Sequence, residues 1–385
     1  MNFSEEYLIY EDKIINKKQN RCYKINKGFY EDLKKSYITK QYAITDEELS
    51  YLLNKGILQN EKTIYDPFVK NKGLPKDFRL FIQVTNQCNL HCAHCYANSG
   101  VSYVQYFDEE KLFDVVREAC YLGISRIDFT GGEVFTQKYF MSFLDKLDKY
   151  PVSYSIFTNL TLLNRKQIDQ ISNLKGLYRI VTSIDYFNAK KHDEFRGVEG
   201  SYKKTIDTLL SLKDKGVEVV VNSIVNNDNH EDIISLMHFL KEHDIELHLD
   251  TIIECGRAKN YSNTGNVIEN VRFIRKLLKD NINDLDEDRI SRNVCGVGEN
   301  FIFLDYLGYY NLCTGLNRDV NERFNLGKIL KDAIPKIYSF DLQCDNKKCI
   351  YSKNKSCGCR HRAYVNHSEL NKPDDLICQF ISTKD

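Results

Sequence analysis

The sequence predicts an α/β protein whose central part is an open, partial (β/α)6 barrel. Six short β-branched or aromatic runs recur between residues 80 and 253, and amphipathic helical stretches separate them. That alternation builds βαβ units around a parallel sheet. Six units are too few to close a barrel of eight, so the sheet stays open.

The runs are LFIQVT (80–85), SRIDFT (125–130), SYSIFT (153–158), RIVTSI (179–184), VEVVVNSIV (217–225) and IELHLDTII (245–253). Between them, DEEKLFDVVREACYLG, QKYFMSFLDKLDKY, SYKKTIDTLLSLKDKG and HEDIISLMHFLKEHD carry helical periodicity. Gly123 and Gly216 stand where left-handed C-caps end helices. In such a sheet the chemistry gathers at the C-terminal strand ends.

The flanks read differently. Residues 1–60 form a small module: YLIYE, KIINKK and RCYKI are three short strands, and two helical stretches follow. The second helix opens with Thr45-Asp46-Glu47-Glu48, a capping box, and closes at Lys55-Gly56. Residues 61–79 hold two of the chain's five prolines and read as a linker. The barrel core is expected over 80–260, a helical bridge over 261–290 with its helix near 267–281, and a cysteine-rich domain over 291–385.

The 54 basic residues of this 385-residue chain match its 54 acidic ones, which argues against a nucleic-acid backbone binder. No stretch approaches the roughly 20 apolar residues of a membrane span. The start, MNFSEEYLIYEDK, lacks a secretory pattern. A cytoplasmic protein with no nucleic-acid or membrane partner is expected. Thirteen cysteines are an odd total, so disulfides cannot account for all of them. Three lie at 88–95 and seven between 295 and 378, while Cys22, Cys120 and Cys255 stand alone. Cys22 and Cys120 read as core residues. Metal or cluster ligation explains the crowding elsewhere.

CNLHCAHC (88–95) places Cys88, Cys92 and Cys95 on one loop directly after the first barrel strand. Three soft thiolates suit iron–sulfur ligation; zinc would want a fourth ligand, which His91 or His94 could supply. Three ligands on a four-iron cluster leave one iron open, as catalysis requires.

This stretch resembles the signature of the radical S-adenosylmethionine (SAM) enzymes, a family with a TIM-like partial barrel. The resemblance implies a [4Fe-4S] cluster on the three cysteines whose open iron chelates SAM. Reduction would then yield a 5′-deoxyadenosyl radical that abstracts a substrate hydrogen. Gly131-Gly132-Glu133 at the end of strand two is similar to the family's GGE motif, which holds the SAM amino group. Ser183-Ile184-Asp185 and HDEFRGVEGSY (192–202) resemble further family segments. There Ser183 would contact the ribose and Arg196 the SAM carboxylate, with Asp185 beside them. Asn159 and Asn222 would face the site from strands three and five, and His94 would lie near the adenine. Departures are Val134 where the family has proline, Leu160 for a usual glycine and Tyr186 for another.

Cys295, twelve residues, Gly308, four residues and Cys313 open the second field, followed by Cys344, Cys349, Cys357, Cys359 and Cys378. The order resembles a SPASM domain, which carries two auxiliary [4Fe-4S] clusters. The resemblance assigns Cys344, Cys349, Cys357 and Cys378 to one and Cys295, Cys313 and Cys359 to the other. Cys255 is a candidate fourth thiolate for the latter, though a buried cysteine is the simpler reading. Paired zinc ribbons are the structural alternative for the whole field.

SPASM enzymes mostly modify ribosomally made peptides, and the N-terminal module resembles the winged-helix-like element that captures their leader sequences as an added strand. The resemblance thus implies a precursor peptide with a leader, and a reducing partner such as flavodoxin or ferredoxin. It points to a peptide maturase forming a cysteine thioether; carbon–carbon cross-linking and epimerisation use the same machinery. Sulfatase maturases carry a catalytic aspartate directly after the cysteine of the G-x4-C segment, where this chain has Thr314. A non-catalytic iron–sulfur carrier would explain the cysteines but not Gly131-Gly132-Glu133, Ser183 or Arg196.

Overall fold

The computed structural model describes residues 3–4, 7–9, 13–16, 21–39, 43–58, 78–101, 107–121, 124, 126–150, 152–260, 267–281, 301–316, 359–369, 371–375 and 378. Strands β1 (Tyr7–Ile9), β2 (Lys13–Asn16) and β3 (Arg21–Lys24) form an antiparallel sheet in that order. Helices α1 (Lys27–Thr39) and α2 (Asp46–Asn54) follow. The capping box is as the sequence predicts: the Thr45 hydroxyl accepts from the Glu48 amide, and the Glu48 carboxylate accepts from the Thr45 amide at 2.8 Å. Phe3, Tyr7, Ile9, Tyr30, Leu33, Leu52 and Ile57 bury against one another in a core of their own.

The six expected barrel strands are β4 (Arg79–Gln83), β5 (Arg126–Thr130), β6 (Ser153–Phe157), β7 (Leu177–Ser183), β8 (Val219–Val225) and β9 (Glu246–Thr251). They pair in sequence order and all in parallel. Their apolar runs fit strands covered on both faces; in β8, for example, five of seven residues are buried. Helices α3 (Glu109–Tyr121), α4 (Phe140–Leu147), α5 (Arg165–Ile171), α6 (Ala189–Arg196), α7 (Ser201–Asp214) and α8 (His230–Glu242) make the crossovers. Gly216 has the positive φ (76°) expected past the end of α7, while Gly123 lies outside the described residues.

Phe129 of β5 packs on Phe143 of α4 with ring centroids 5.4 Å apart, and Phe113 of α3 meets Phe143 at 4.7 Å. Burying each such ring stabilises the fold by about 1.5–3 kcal/mol. Cys120 is buried in this core as expected; the side chain of Cys22 lies outside the described set.

The sheet is longer than the sequence reading allowed. After α9 (Val267–Asn281), β10 (Phe301–Leu304) pairs in parallel with the outer edge of β4, and β11 (Tyr310–Asn311) returns antiparallel to β10. Eight strands therefore run in the order β11-β10-β4-β5-β6-β7-β8-β9. Gly308, at φ 80°, lies in the connecting turn, whose amides at Leu307 and Tyr309 donate to the Asp305 carboxylate at 2.9 and 3.0 Å. The hairpin covers an edge that would otherwise present unpaired backbone groups. A further helix, α10 (Arg360–His367), begins at Cys359. Among the described residues no helix is long and apolar enough to cross a membrane.

Candidate active site

Cys88, Cys92 and Cys95 follow β4 on an irregular loop, and the loop's shape is dictated from outside. The Cys88 amide donates to Gly100 O at 2.8 Å. The amides of His91 and Ala93 donate to Arg196 O and Phe195 O, at 3.0 and 2.9 Å, on the last turn of α6. Gly132 N donates to Thr85 O at 2.7 Å and Glu133 N to Gln87 O at 2.8 Å. A Cβ on Gly132 would lie 2.3 Å from Gln87 O and 2.9 Å from Cys88 Cβ, so only glycine allows that approach. The HDEFR segment is helical and ends at Gly197 in the left-handed conformation, which returns the chain beneath the cysteine loop.

The three thiols open into a cavity of about 490 Å³ across the C-terminal ends of the strands, within the roughly 300–1,000 Å³ range of small-molecule sites. Gly131, Gly132, Asn159, Ser183, Asp185, Arg196 and Asn222, all expected from the sequence, line it together with His94. Phe81, Leu90, Phe157 and Val181 supply apolar wall, and Asp250, Cys255, Arg257, Thr314 and Gly315 also line the cavity.

Glu133 is placed differently from its expected role as an ammonium partner. It is fully buried and absent from the cavity lining. Its carboxylate accepts from Thr158 Oγ1 (2.8 Å), Asn159 N (2.7 Å) and Phe135 N (3.1 Å), tying the end of β5 to that of β6. Burial pushes its pKa up to about 7 against the pull of these three donors. Asn159 in turn donates to Asn89 Oδ1 at 3.0 Å, next to Cys88. Leu160, standing for the usual glycine, holds a left-handed φ of 64° while its side chain is fully buried; burial offsets the backbone cost.

Asp185 and Arg196 form a buried ion pair. Burial alone would raise the Asp185 carboxyl, but Arg196, with His94 and the Ile224 amide, holds it below its ordinary value. For Arg196 burial acts to lower and Asp185 to raise, and the net shift is upward. Arg196 Nη1 lies 3.8 Å from Cys92 Sγ, placing a fixed positive charge against that thiol. His94 stacks on Phe195 at 4.5 Å, and burial pushes its imidazole down to about 4, so it is neutral. Burial likewise pushes the Cys88 thiol up to about 12. A metal ion would reverse that by displacing the proton.

The described residues fit the [4Fe-4S] cluster and SAM that the motif implies. Three soft ligands share one mouth of the cavity. Asn222 Oδ1 and Arg196 Nε are buried without a hydrogen-bond partner, although both residues line the cavity. Such orphaned groups are costly unless a ligand completes them.

Of the second field, Cys313, Cys359 and Cys378 are described; Cys295, Cys344, Cys349 and Cys357 lie outside the described residues. Cys313 follows β11, and its Sγ accepts from Gly315 N at 3.4 Å. Cys359 N donates to Asp374 Oδ2 at 2.8 Å and Cys378 N to Asp374 O at 3.1 Å. Cys255 is buried on the cavity wall; burial, then the nearby Cys359, push its thiol up to about 11. Sequence reasoning missed Arg257, Asp250 and Asp374. Asp250 stood in the run quoted for strand six and Arg257 four residues beyond it, where the ends of barrel strands are the place to look. Asp374 had no motif to mark it.

A family model described as the radical SAM superfamily matches residues 82–240. The sporulation killing factor maturation protein SkfB of Bacillus subtilis is 25% identical over 284 residues, 70% of this chain and 67% of that one. The antilisterial bacteriocin subtilosin biosynthesis protein AlbA, also from Bacillus subtilis, is 25% identical over 358 residues, 82% of this chain and 78% of AlbA. Among solved structures, Streptococcus suis SuiB bound to S-adenosylmethionine superposes with a TM-score of 0.64 at 15% identity, covering 98% of this chain and all (100%) of SuiB. SuiB has also been solved with its precursor peptide SuiA. The anSMEcpe enzyme with bound AdoMet gives 0.62 at 18% identity, over 79% of this chain and 94% of anSMEcpe. At these identities the structural likeness concerns the fold.

Proposed function

We propose that this chain, an enzyme built on a radical SAM domain, joins a cysteine sulfur to a carbon of a ribosomally made precursor peptide. The observation that carries this reading is the cavity, with three thiols at one mouth and orphaned polar groups along a wall large enough for SAM and a substrate side chain. The likeness to SkfB and AlbA supports a peptide as substrate.

Cys88, Cys92 and Cys95 would hold the cluster. The bound cluster and SAM supply a carbon-centred radical able to take a hydrogen atom from the substrate. The chain's own residues bind, orient and exclude water. The close backbone at Gly131 and Gly132 leaves room for the SAM amino group. Arg196, fixed by Asp185, would offer its guanidinium to the SAM carboxylate, while Ser183 and Asn222 would face the ribose. His94, neutral and stacked on Phe195, borders the adenine. Phe81, Phe157 and Val181 keep that end of the cavity dry.

Cys295, Cys313 and Cys359 would hold one auxiliary [4Fe-4S] cluster, and Cys344, Cys349, Cys357 and Cys378 the second. Forming a thioether leaves one electron over after hydrogen abstraction, and such clusters are suitable acceptors. The domain reading follows: residues 1–60 for leader capture on a sheet edge, 80–260 for the radical step and 291–385 for the auxiliary clusters. A flavodoxin or ferredoxin would supply the reducing electron.

The test is co-expression with a short cysteine-containing peptide encoded beside this chain's gene, followed by mass spectrometry. A loss of two hydrogens per link, with the cysteine no longer alkylated, is expected. The same loss with a free cysteine indicates carbon–carbon cross-linking; an unchanged mass with altered stereochemistry indicates epimerisation.

A further inference from the structure

Arg257 lies just past β9, in a short 3-10 turn running from Gly256 to Asn260, and reaches a loop more than 150 residues earlier in the chain. Its backbone N–H donates to Cys95 O at 3.0 Å. Its Nε donates to Cys92 O at 2.8 Å, and its Nη1 to Ser99 O at 2.6 Å and to Asn98 Oδ1 at 3.3 Å. Gly256 presses on the same loop: it has φ 57°, and a Cβ there would lie 2.3 Å from Tyr96 O and 2.4 Å from Cys95 O. The end of the last barrel strand is thus laid against the loop that follows the first.

The loop is held in three sections by three different elements. Gly132 and Glu133 hold its start and α6 holds its middle. Its second half is closed by local bonds, Cys95 N to Cys92 O at 3.3 Å, Asn98 N to Cys95 O at 3.2 Å and Ser99 N to Cys95 Sγ at 3.4 Å, and its end is anchored by Ser99 Oγ, which donates to Asn86 Oδ1 at 2.6 Å. The two local bonds to oxygen are long, so Arg257 adds fixed contacts at Cys92, Cys95 and Ser99 where the loop's own bonds are weak. The planar guanidinium reaches three oxygens from fixed directions, whereas an ammonium has three donors on one point and no fixed fork. Arg257 also lines the cavity, and its positive charge, like that of Arg196, acts on His94 between Cys92 and Cys95.

We infer that Arg257 is a positioning residue that fixes the Cys92-to-Ser99 half of the loop and, through its charge, raises the reduction potential of the cluster bound there. The second half of this inference rests on Cys88, Cys92 and Cys95 being cluster ligands; the first does not. A nearby positive charge favours the reduced, more negative cluster. Removing it should move the potential in the negative direction.

The test compares wild type with Arg257→Gln and Arg257→Lys. Hydrogen exchange on the apo chain reads the loop, and EPR-monitored redox titration of the reconstituted protein reads the cluster. Arg257→Gln should speed exchange over residues 88–101 about tenfold, the loss of a few modest hydrogen bonds, with β4 and β8 unchanged. Its cluster potential should become more negative. Arg257→Lys keeps the charge but not the fork, so its potential should recover towards wild type more than its exchange does. Unchanged exchange over 88–101 in Arg257→Gln overturns the positioning role, and an unchanged potential overturns the electrostatic one. Should the core strands of Arg257→Gln also exchange faster, Arg257→Lys decides: native core and native loop together overturn the proposal. Wild type that takes up no iron on these cysteines sinks the cluster reading while leaving the exchange result to stand alone.

Discussion

From Thr85 to Ser99 every few residues are fastened to an element distant in sequence: Gly132 and Glu133 after β5, the end of α6, and Arg257 after β9. Around Cys359 and Cys378 the described contacts converge instead on one side chain. Asp374 is fully buried, accepts from the Cys359 amide and from Arg362 Nε at 2.9 Å, and its carbonyl takes the Cys378 amide. One region distributes its support over two strand ends of the sheet and the end of a helix. In the other, among the described residues, one carboxylate joins the Cys359 amide to Arg362. The difference separates what each tolerates: the first should resist loss of any one hydrogen bond and fail on steric intrusion, while the second should fail on loss of one charge.

The most damaging change should therefore be Gly132→Ala. Its methyl would meet backbone rather than a flexible side chain, so the cysteine loop must shift. The expected cost is about 3 kcal/mol, with reconstituted iron at the first site falling well below wild type. Thermal unfolding and iron analysis check this, and a variant with native iron would show the packing argument to be wrong.

Asp374→Ala should cost slightly less and act elsewhere. It leaves Arg362, three-quarters buried at its side chain, without its partner, at about 2–3 kcal/mol once partial exposure is allowed for. If the second field holds auxiliary clusters, their iron should be lost while the first cluster keeps its SAM-dependent EPR signal. Loss of both together would mean that the two regions are not independently supported.

A smaller effect concerns pH behind the first loop. His192 on α6 is 1% exposed, and burial, then Arg196, lower its pKa to about 4. The unfolded chain binds that proton near pH 6.5, so between pH 6.5 and 4 the unfolded state holds more protons than the folded one. Stability should fall as pH drops through that window. His192→Gln should flatten the slope of Tm against pH there; an identical slope would assign the acid sensitivity to other groups.

How far the sequence carried this account depends on the period of each signal. The six βα units were legible because apolar runs of parallel strands and amphipathic helices repeat over more than 150 residues. Cys88, Cys92 and Cys95, Gly131 and Gly132, and Ser183, Asp185 and Arg196 were legible because short motifs stand at strand ends, and the cavity brings them together. The hairpin of β10 and β11 was not read, although NFIFLDYLGYYN alternates around a glycine turn, because the cysteine spacing there drew the whole reading. The contacts of the Glu133 carboxylate with Thr158, Asn159 and Phe135 were not legible, since spacing does not say which way a carboxylate turns. Arg257 and Asp374 act through contacts spanning 165 and 15 residues. Such contacts leave no local period, and only the folded chain displays them.

The central claim is that the three thiols of CNLHCAHC hold a cluster that cleaves SAM. It is tested by incubating the anaerobically reconstituted protein with SAM and dithionite and measuring 5′-deoxyadenosine by liquid chromatography with mass detection. The account predicts formation by wild type and none by Cys92→Ala. Wild type carrying an intact first-site cluster and yielding no 5′-deoxyadenosine would contradict it.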